Sequence, residues 1–399
     1  MSAGALLRPD ITQLGDLLAN RFEPDLRHVA TIAGLEARLE NPDIYPMLAA
    51  ITPTEYCNYR CRTCHTHSPD FGSDEYNRYY AFYKDPEKFK LGFMQLETYD
   101  RLLDEIMEFK GVTGLYLGTT GEPTLHRDFR AMIAHAAHRG LMVTATTNGV
   151  LLAPEQVPQL VGAGLRYIDV SIDAATEETY KKLRGGDYRR LEKVVQSAVK
   201  AARGGRVWIS VNMTVQDENE TETRQFVDRW INEVDFIGVW GCHLKKRYVS
   251  NWNRRPEKRT LCKQLYSGIG VSTDGHVWAC CGGGPMEGCI GMWDGTRSLR
   301  EIWTDPNWSA LRKEFFEGRW SNVPMCNDCD VWMLNSLTRF RIDGDLMIET
   351  RPTTSIYRKI RPETKLAKLG RYIRIGIANP AQARSKLRAI LRERRMRGG

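Results

Sequence analysis

The chain lacks any apolar run approaching the roughly 18 residues that a spanning helix needs, so no transmembrane segment is expected. Its amino-terminal MSAGALLRPDITQ lacks the basic start, apolar stretch and cleavage site of a secretory signal. A cytoplasmic, reducing setting is therefore expected. The body of the chain also lacks an excess of basic residues. The net charge of +8 divides at Arg351 into +13 over residues 351–399 and −5 over residues 1–350. Nucleic-acid-binding folds carry a basic stripe on the folded surface, and a mildly acidic body does not, so nucleic acid is not an expected partner. With 42% apolar and 27% charged residues, the composition excludes a disordered, collagen-like or small disulfide-scaffold chain. At roughly 150 residues per domain, 399 residues allow two or three compact units.

What is present is a regular alternation. Strand-like runs at 48–52, 114–117, 142–146, 167–172, 208–213 and 236–240 are separated by helical patterns near 96–109, 128–139, 154–162, 176–183 with 188–203, and 220–233. Strands separated by helices imply a parallel sheet with right-handed crossovers, and six such units close most of a barrel. After residue 250 the rhythm changes. Ile269 to Ser272 and His276 to Cys280 flank Asp274-Gly275, a hairpin signal, and short helical stretches follow near 298–304 and 306–316. The expected organisation is an α/β chain: an extension over 1–47, a partial (β/α)6 TIM-like barrel over 48–250, a small α+β module over 256–340, and a basic tail over 350–399.

The ten cysteines are grouped. Close spacings in a chain without an export signal favour metal ligation over disulfides. Cys57, Cys61 and Cys64 form a C-x3-C-x2-C run just after the first strand. Three thiolates can hold three irons of a cubane [4Fe-4S] cluster and leave one iron open to a small-molecule ligand. Position adds weight, since chemistry in barrel folds gathers on loops at the carboxyl ends of strands. A zinc knuckle using these cysteines with His65 or His67 is the alternative. Downstream, Cys262, Cys280, Cys326 and Cys329 supply four thiolates, enough for a second [4Fe-4S] cluster or a tetrahedral zinc. Cys242, Cys281 and Cys289 are left over; packing or hydrogen donation to a substrate radical would both suit a thiol.

A C-x3-C-x2-C run after the first strand of an incomplete β/α barrel resembles the radical S-adenosylmethionine (SAM) superfamily. Further segments carry the resemblance. Thr120-Gly121-Glu122-Pro123 follows the second strand where the family has Gly-Gly-Glu-Pro. Thr147-Asn148-Gly149 ends the third strand, Ser171-Ile172-Asp173 ends the fourth, and Arg184 lies beyond it. The resemblance implies SAM contacts at Gly121, Glu122, Pro123, Asn148, Ser171, Asp173 and Arg184. Glu122 would meet the methionine amino group, Ser171 and Asp173 the ribose, and Arg184 the methionine carboxylate. Thr63 stands before the last cluster cysteine, where the family usually has an aromatic residue. The order C, G-x4-C, C-x2-C over Cys262 to Cys329 resembles the twitch module, a shortened SPASM domain, which implies one auxiliary [4Fe-4S] cluster; Cys281 beside Cys280 could exchange with it as ligand.

The implied activity is reductive cleavage of SAM to a 5′-deoxyadenosyl radical that abstracts hydrogen from a small molecule. An external electron donor such as flavodoxin or ferredoxin is implied with it. The cysteine pattern resembles twitch-type dehydrogenases, so oxidation of a carbohydrate or cyclitol is expected, with a sugar epimerase, a peptide-modifying maturase, or a non-catalytic metal protein with an RNA-binding tail as alternatives. Lys245, Lys246, Arg247, Arg254 and Arg255 suit a phosphorylated sugar or a solvated face. In the tail, Leu366, Leu369, Ile373, Leu387, Ile390 and Leu391 are spaced for one helical face among cations. That pattern fits peripheral contact with the inner membrane face and a lipid-linked sugar, or a solvated tail.

Overall fold

The computed structural model describes residues 46–359, except 65, 69–80, 203–206, 242–258, 260–261, 263, 281–285, 287, 328, 330–331, 334–338 and 352–353. The amino-terminal extension up to residue 45, the basic cluster from Lys245 to Arg255 and the tail from residue 360 lie outside the described residues, as do Cys242 and Cys281.

Six parallel strands follow the alternation read from the sequence: β1 (Leu48–Ile51), β2 (Gly114–Leu117), β3 (Met142–Thr147), β4 (Leu165–Ser171), β5 (Trp208–Val215) and β6 (Phe236–Gly241). They pair in order, from Ala50 opposite Tyr116 through Asp169 opposite Ser210 to Asn212 opposite Gly238. The crossovers are helices α1 (Leu96–Glu108), α2 (Phe129–His138), α3 (Val157–Ala163), α4 (Glu177–Arg184) with α5 (Tyr188–Ala202), and α6 (Thr223–Trp230). This is the partial TIM-like barrel expected.

Local chemistry fixes these elements. In α1, Tyr99, Leu102, Leu103 and Ile106 fall on one face at helical spacing, and all are fully buried. Each such side chain contributes about 1.5–3 kcal/mol through burial. Helix α4 begins at Thr176, whose hydroxyl accepts from the Thr179 N–H, and ends at Gly185 in the left-handed region at φ 79°. Along β3 and β4 buried and half-buried positions alternate. Val143, Ala145, Ile168 and Val170 belong to the apolar core, whereas Thr144, Thr146, Tyr167, Asp169 and Ser171 line the inner face.

The sheet extends beyond the barrel at both edges. β7 (Gly268–Val271) joins β1 in parallel, and β8 (His276–Trp278) and β9 (Cys289–Met292) continue antiparallel. On the other side β10 (Arg339–Asp343), β11 (Leu346–Arg351) and β12 (Thr354–Lys359) form a meander whose last strand pairs antiparallel with β6. The sheet therefore runs through Lys359, inside the stretch expected as a basic tail from residue 350. The helices near 298–304 and 306–316 are present as α7 (Leu299–Trp303) and α8 (Pro306–Phe316).

Candidate active site

The carboxyl ends of the parallel strands share one side of the sheet, and the motif residues sit on the loops there. The cysteine loop after β1 is held from three directions. Glu122 N donates to Tyr56 O at 2.9 Å, Arg62 N donates to Leu183 O at 3.1 Å, and Asn148 Nδ2 donates to Asn58 Oδ1 at 2.9 Å. Gly121 is required by this approach: a Cβ there would stand 2.1 Å from Thr54 O and 2.6 Å from Tyr56 O. The glycine of the Gly-Glu-Pro run thus lets the loop after β2 lie against the cysteine loop.

Glu122 is buried at the centre of a web of donors. Its Oε1 accepts from Thr124 N at 3.2 Å and Thr147 Oγ1 at 2.6 Å, and its Oε2 accepts from Asn148 N at 2.7 Å. Pro123 opens a 3-10 turn over Pro123–Leu125 that Glu122 caps. At the end of β4, Asp173 takes a left-handed backbone at φ 61°. Its carboxylate accepts from Thr214 N at 2.7 Å and pairs with the Arg184 guanidinium, both side chains being almost fully buried. Arg184 also lies 5.9 Å from the centre of the Tyr59 ring, and its Nε has no hydrogen-bond partner among the described residues.

These side chains enclose one cavity. Cys57, Cys61, Cys64, Gly121, Glu122, Asn148, Ser171, Asp173 and Arg184 all line it; of the sequence-derived set around SAM, only Pro123 does not, acting instead in the wall. Sequence reasoning passed over Thr146, Asn212 and Thr214, which line the same cavity from inner-face positions of β3 and β5. His67 lines it too, its Nε2 3.0 Å from Thr120 O, and burial pushes its imidazole down to about 4.

The donor set suits an iron–sulfur cluster. Burial pushes the thiols of Cys57 and Cys61 up to about 11 and about 12. The protein alone thus keeps them neutral, and cationic iron supplies the charge that thiolates require. Soft thiolates select such metals. Among the described residues, no three His, Cys, Asp or Glu side chains converge on a single-ion site; a cubane binds each thiolate to a separate iron. The unpartnered Arg184 Nε beside the cysteines suits an anionic ligand group such as the methionine carboxylate.

The second set is also assembled. Cys262, Cys280 and Cys326 are buried and Cys329 partly so. Burial raises the Cys326 thiol, and its neighbours Cys280, Cys329 and Cys262 raise it further, so all four lie within electrostatic reach. Arg259 Nη1 donates to Cys326 O at 2.8 Å while its guanidinium lies over Trp320 at 4.7 Å. The Cys289 thiol is turned to Gly291 O at 3.3 Å.

Comparison with known proteins agrees with this geometry. The family model described as Radical SAM superfamily matches residues 51–229, and the SPASM iron-sulfur cluster-binding domain matches residues 262–330. A GTP 3′,8-cyclase of Xanthomonas campestris pv. campestris (strain 8004) is 32% identical over 287 residues, covering 69% of this chain and 72% of the relative. Another, from Xanthomonas axonopodis pv. citri (strain 306), is 32% identical over 201 residues, covering 47% of this chain and 54% of the relative. Among solved structures, Streptococcus suis SuiB bound to precursor peptide SuiA superposes with a TM-score of 0.52 at 14% identity, covering 70% of each chain, a likeness of fold. The chain belongs to the radical SAM superfamily and carries a SPASM-type iron–sulfur module at its carboxyl side. Its cofactors are accordingly a [4Fe-4S] cluster with S-adenosyl-L-methionine and an auxiliary iron–sulfur cluster.

One expectation is corrected. Oxidation of a carbohydrate or cyclitol was expected from a cysteine pattern, but the relatives are named GTP 3′,8-cyclase, for GTP and for ring closure. The sugar-epimerase, peptide-maturase and RNA-binding alternatives fall with it. The cysteine pattern reports the clusters and not the substrate. Membrane contact and a lipid-linked sugar rested on residues 366–391, outside the described residues; among those described, no helix is long and apolar enough to cross a membrane.

Proposed function

We propose that the chain is a radical SAM enzyme acting on a purine nucleoside triphosphate, GTP in the first instance, in a ring-forming rearrangement rather than a net oxidation. The observation that carries this reading is the 32% identity to a GTP 3′,8-cyclase over 287 residues. In this reading Cys57, Cys61 and Cys64 hold the SAM-binding cluster, and Cys262, Cys280, Cys326 and Cys329 hold the auxiliary one. When bound, the reduced cluster and SAM supply a carbon radical able to abstract an unactivated hydrogen. The chain's own residues bind and orient. Arg184, fixed by Asp173, offers its free Nε to the methionine carboxylate. Glu122 holds the β2 and β3 loops in register, so that Asn148 and the neighbouring backbone face the methionine amino group. Ser171 and Asn212, on adjacent strands, offer polar atoms to the ribose. Four thiolates would hold the auxiliary cluster, which would then store an electron, and a one-electron donor such as flavodoxin or ferredoxin would be required.

The test uses protein reconstituted anaerobically with iron and sulfide, reduced, and supplied with SAM and GTP deuterated at C3′. Joining C3′ to C8 removes the C3′ hydrogen, so deuterium should appear in 5′-deoxyadenosine. SAM cleavage that proceeds without acquiring deuterium from any position of GTP would overturn the nucleotide reading and leave the superfamily chemistry intact.

A further inference from the structure

The inner face of the barrel, below the cysteine cavity, carries a half-buried carboxylate that neither cluster nor SAM accounts for. Asp169 lies on β4 one inward position below Ser171, about 7 Å along the strand. Its Oδ1 accepts from Ser210 Oγ, which in turn accepts from the Tyr167 hydroxyl at 2.6 Å. Its Oδ2 accepts from Asn212 Nδ2 at 2.7 Å and from Thr146 Oγ1 at 3.4 Å. A carboxylate has about four acceptor sites, so these three donors leave one open among the described residues. No lysine or arginine among the described residues bonds to it. Burial raises its pKa, and hydrogen bonds from Ser210, Asn212 and Thr146 oppose the rise. Asn212 ties Asp169 to the cysteine cavity, since the same Nδ2 stands 3.3 Å from Ser171 Oγ and both residues line that cavity.

A flat aromatic surface lies on the same face two strands away. On β6 the Trp240 indole folds back over Gly238, where a Cβ would meet the indole Nε1 at 2.6 Å. Gly238 pairs with Asn212, and Asn212 pairs with Ser171, so the indole lies on the inner face one row above Asp169. Trp240 is half-buried. A planar ligand bearing a hydrogen-bond donor on its edge suits this pair, because the indole face stacks and the open acceptor takes the donor.

We propose that Trp240 and Asp169 form the base-recognition subsite, with the indole stacked on the purine and the carboxylate accepting from the exocyclic 2-amino group of guanine. The assignment rests on the reading of a purine nucleotide as substrate and adds the residues that tell guanine from other purines. With four thiolates on it the auxiliary cluster would have no vacant corner, and this discrimination would fall to side chains. A site built around a hydrogen bond rejects the analogue lacking it, because its own polar group is then left unpaired.

The experiment is equilibrium dialysis of GTP and of inosine triphosphate, which lacks the 2-amino group, against the anaerobic, cluster-loaded enzyme with SAM. The wild type should hold GTP at least about tenfold more tightly than inosine triphosphate, and Asp169→Asn should lose about tenfold for GTP and under about twofold for inosine triphosphate. Trp240→Ala should weaken both nucleotides alike, and Trp240→Phe should restore most of the loss. Iron content and SAM affinity measured on each variant report whether it is folded. If the wild type binds neither nucleotide, the nucleotide reading fails and takes this subsite with it. If the wild type binds both equally, or Asp169→Asn leaves GTP binding unchanged or weakens both nucleotides equally, the subsite is wrong while the nucleotide reading stands. The wild-type comparison decides even if the aspartate variant does not fold.

Discussion

Arg184 and Asp173 show how a few side chains can set both stability and binding. The two are an ion pair shut away from water, with side-chain exposures of 9% and 4%. Removing one partner strands a buried charge, so Arg184→Met should cost about 3–5 kcal/mol in urea unfolding, together with SAM affinity. Asp173→Asn, which keeps an acceptor for Thr214 N, should cost less. The cysteines make a sharper contrast. Replacing any one of Cys57, Cys61 or Cys64 with alanine should remove about four irons per chain, and Cys326→Ala should remove the other four. Iron and sulfide analysis after anaerobic reconstitution reads both. Gly121→Ala places a methyl group 2.1 Å from Thr54 O and should cost about 1–3 kcal/mol and loosen the cysteine loop, seen as a lower melting temperature and weaker SAM binding. The cysteines, Glu122, Asn148 and Arg184 were legible in the sequence because each sits at a fixed offset from a strand end. Thr146, Asn212 and Thr214, which line the same cavity, were not, because that placement depends on which face of a strand they occupy and on cross-strand register.

Among the elements, the six barrel strands and their helices followed from periodicity: apolar positions recur at helical spacing in α1 and α5, and Gly185 marks a helix end. The meander β10–β12 did not. Its sequence alternates charge with apolar residues and merges into a basic carboxyl-terminal stretch, so composition pointed to a tail, whereas pairing to β6 makes β12 an interior strand. The joining of β7 to β1 was equally hidden, since pairing between residues some two hundred positions apart leaves no local signal. Glu55 fastens the cysteine-loop side of β1 to the β7–β8 turn. Fully buried, it accepts from Thr273 N at 2.9 Å and from the Thr273 hydroxyl, and burial pushes its carboxyl up to about 8. Glu55→Ala leaves those donors unpaired and should cost about 1–3 kcal/mol in denaturant unfolding.

At the scale of the molecule, the radical SAM class was readable and the substrate was not. The motifs specify a cluster and a sulfonium ligand, which the superfamily shares; the side chains on the inner face of the barrel are spread over strands far apart in the chain. The cysteine pattern suggested a cyclitol, whereas a relative matched over 287 residues is named GTP 3′,8-cyclase. The central claim is that Cys57, Cys61 and Cys64 leave one iron open for SAM. It is tested most directly by reducing the anaerobically reconstituted protein with dithionite in the presence of SAM and measuring 5′-deoxyadenosine by mass spectrometry. The account predicts 5′-deoxyadenosine from the wild type and none from the Cys57→Ala, Cys61→Ala, Cys64→Ala triple variant, whose auxiliary irons remain. Iron-loaded wild-type protein that leaves SAM intact, or a triple variant that cleaves it equally well, would contradict the account.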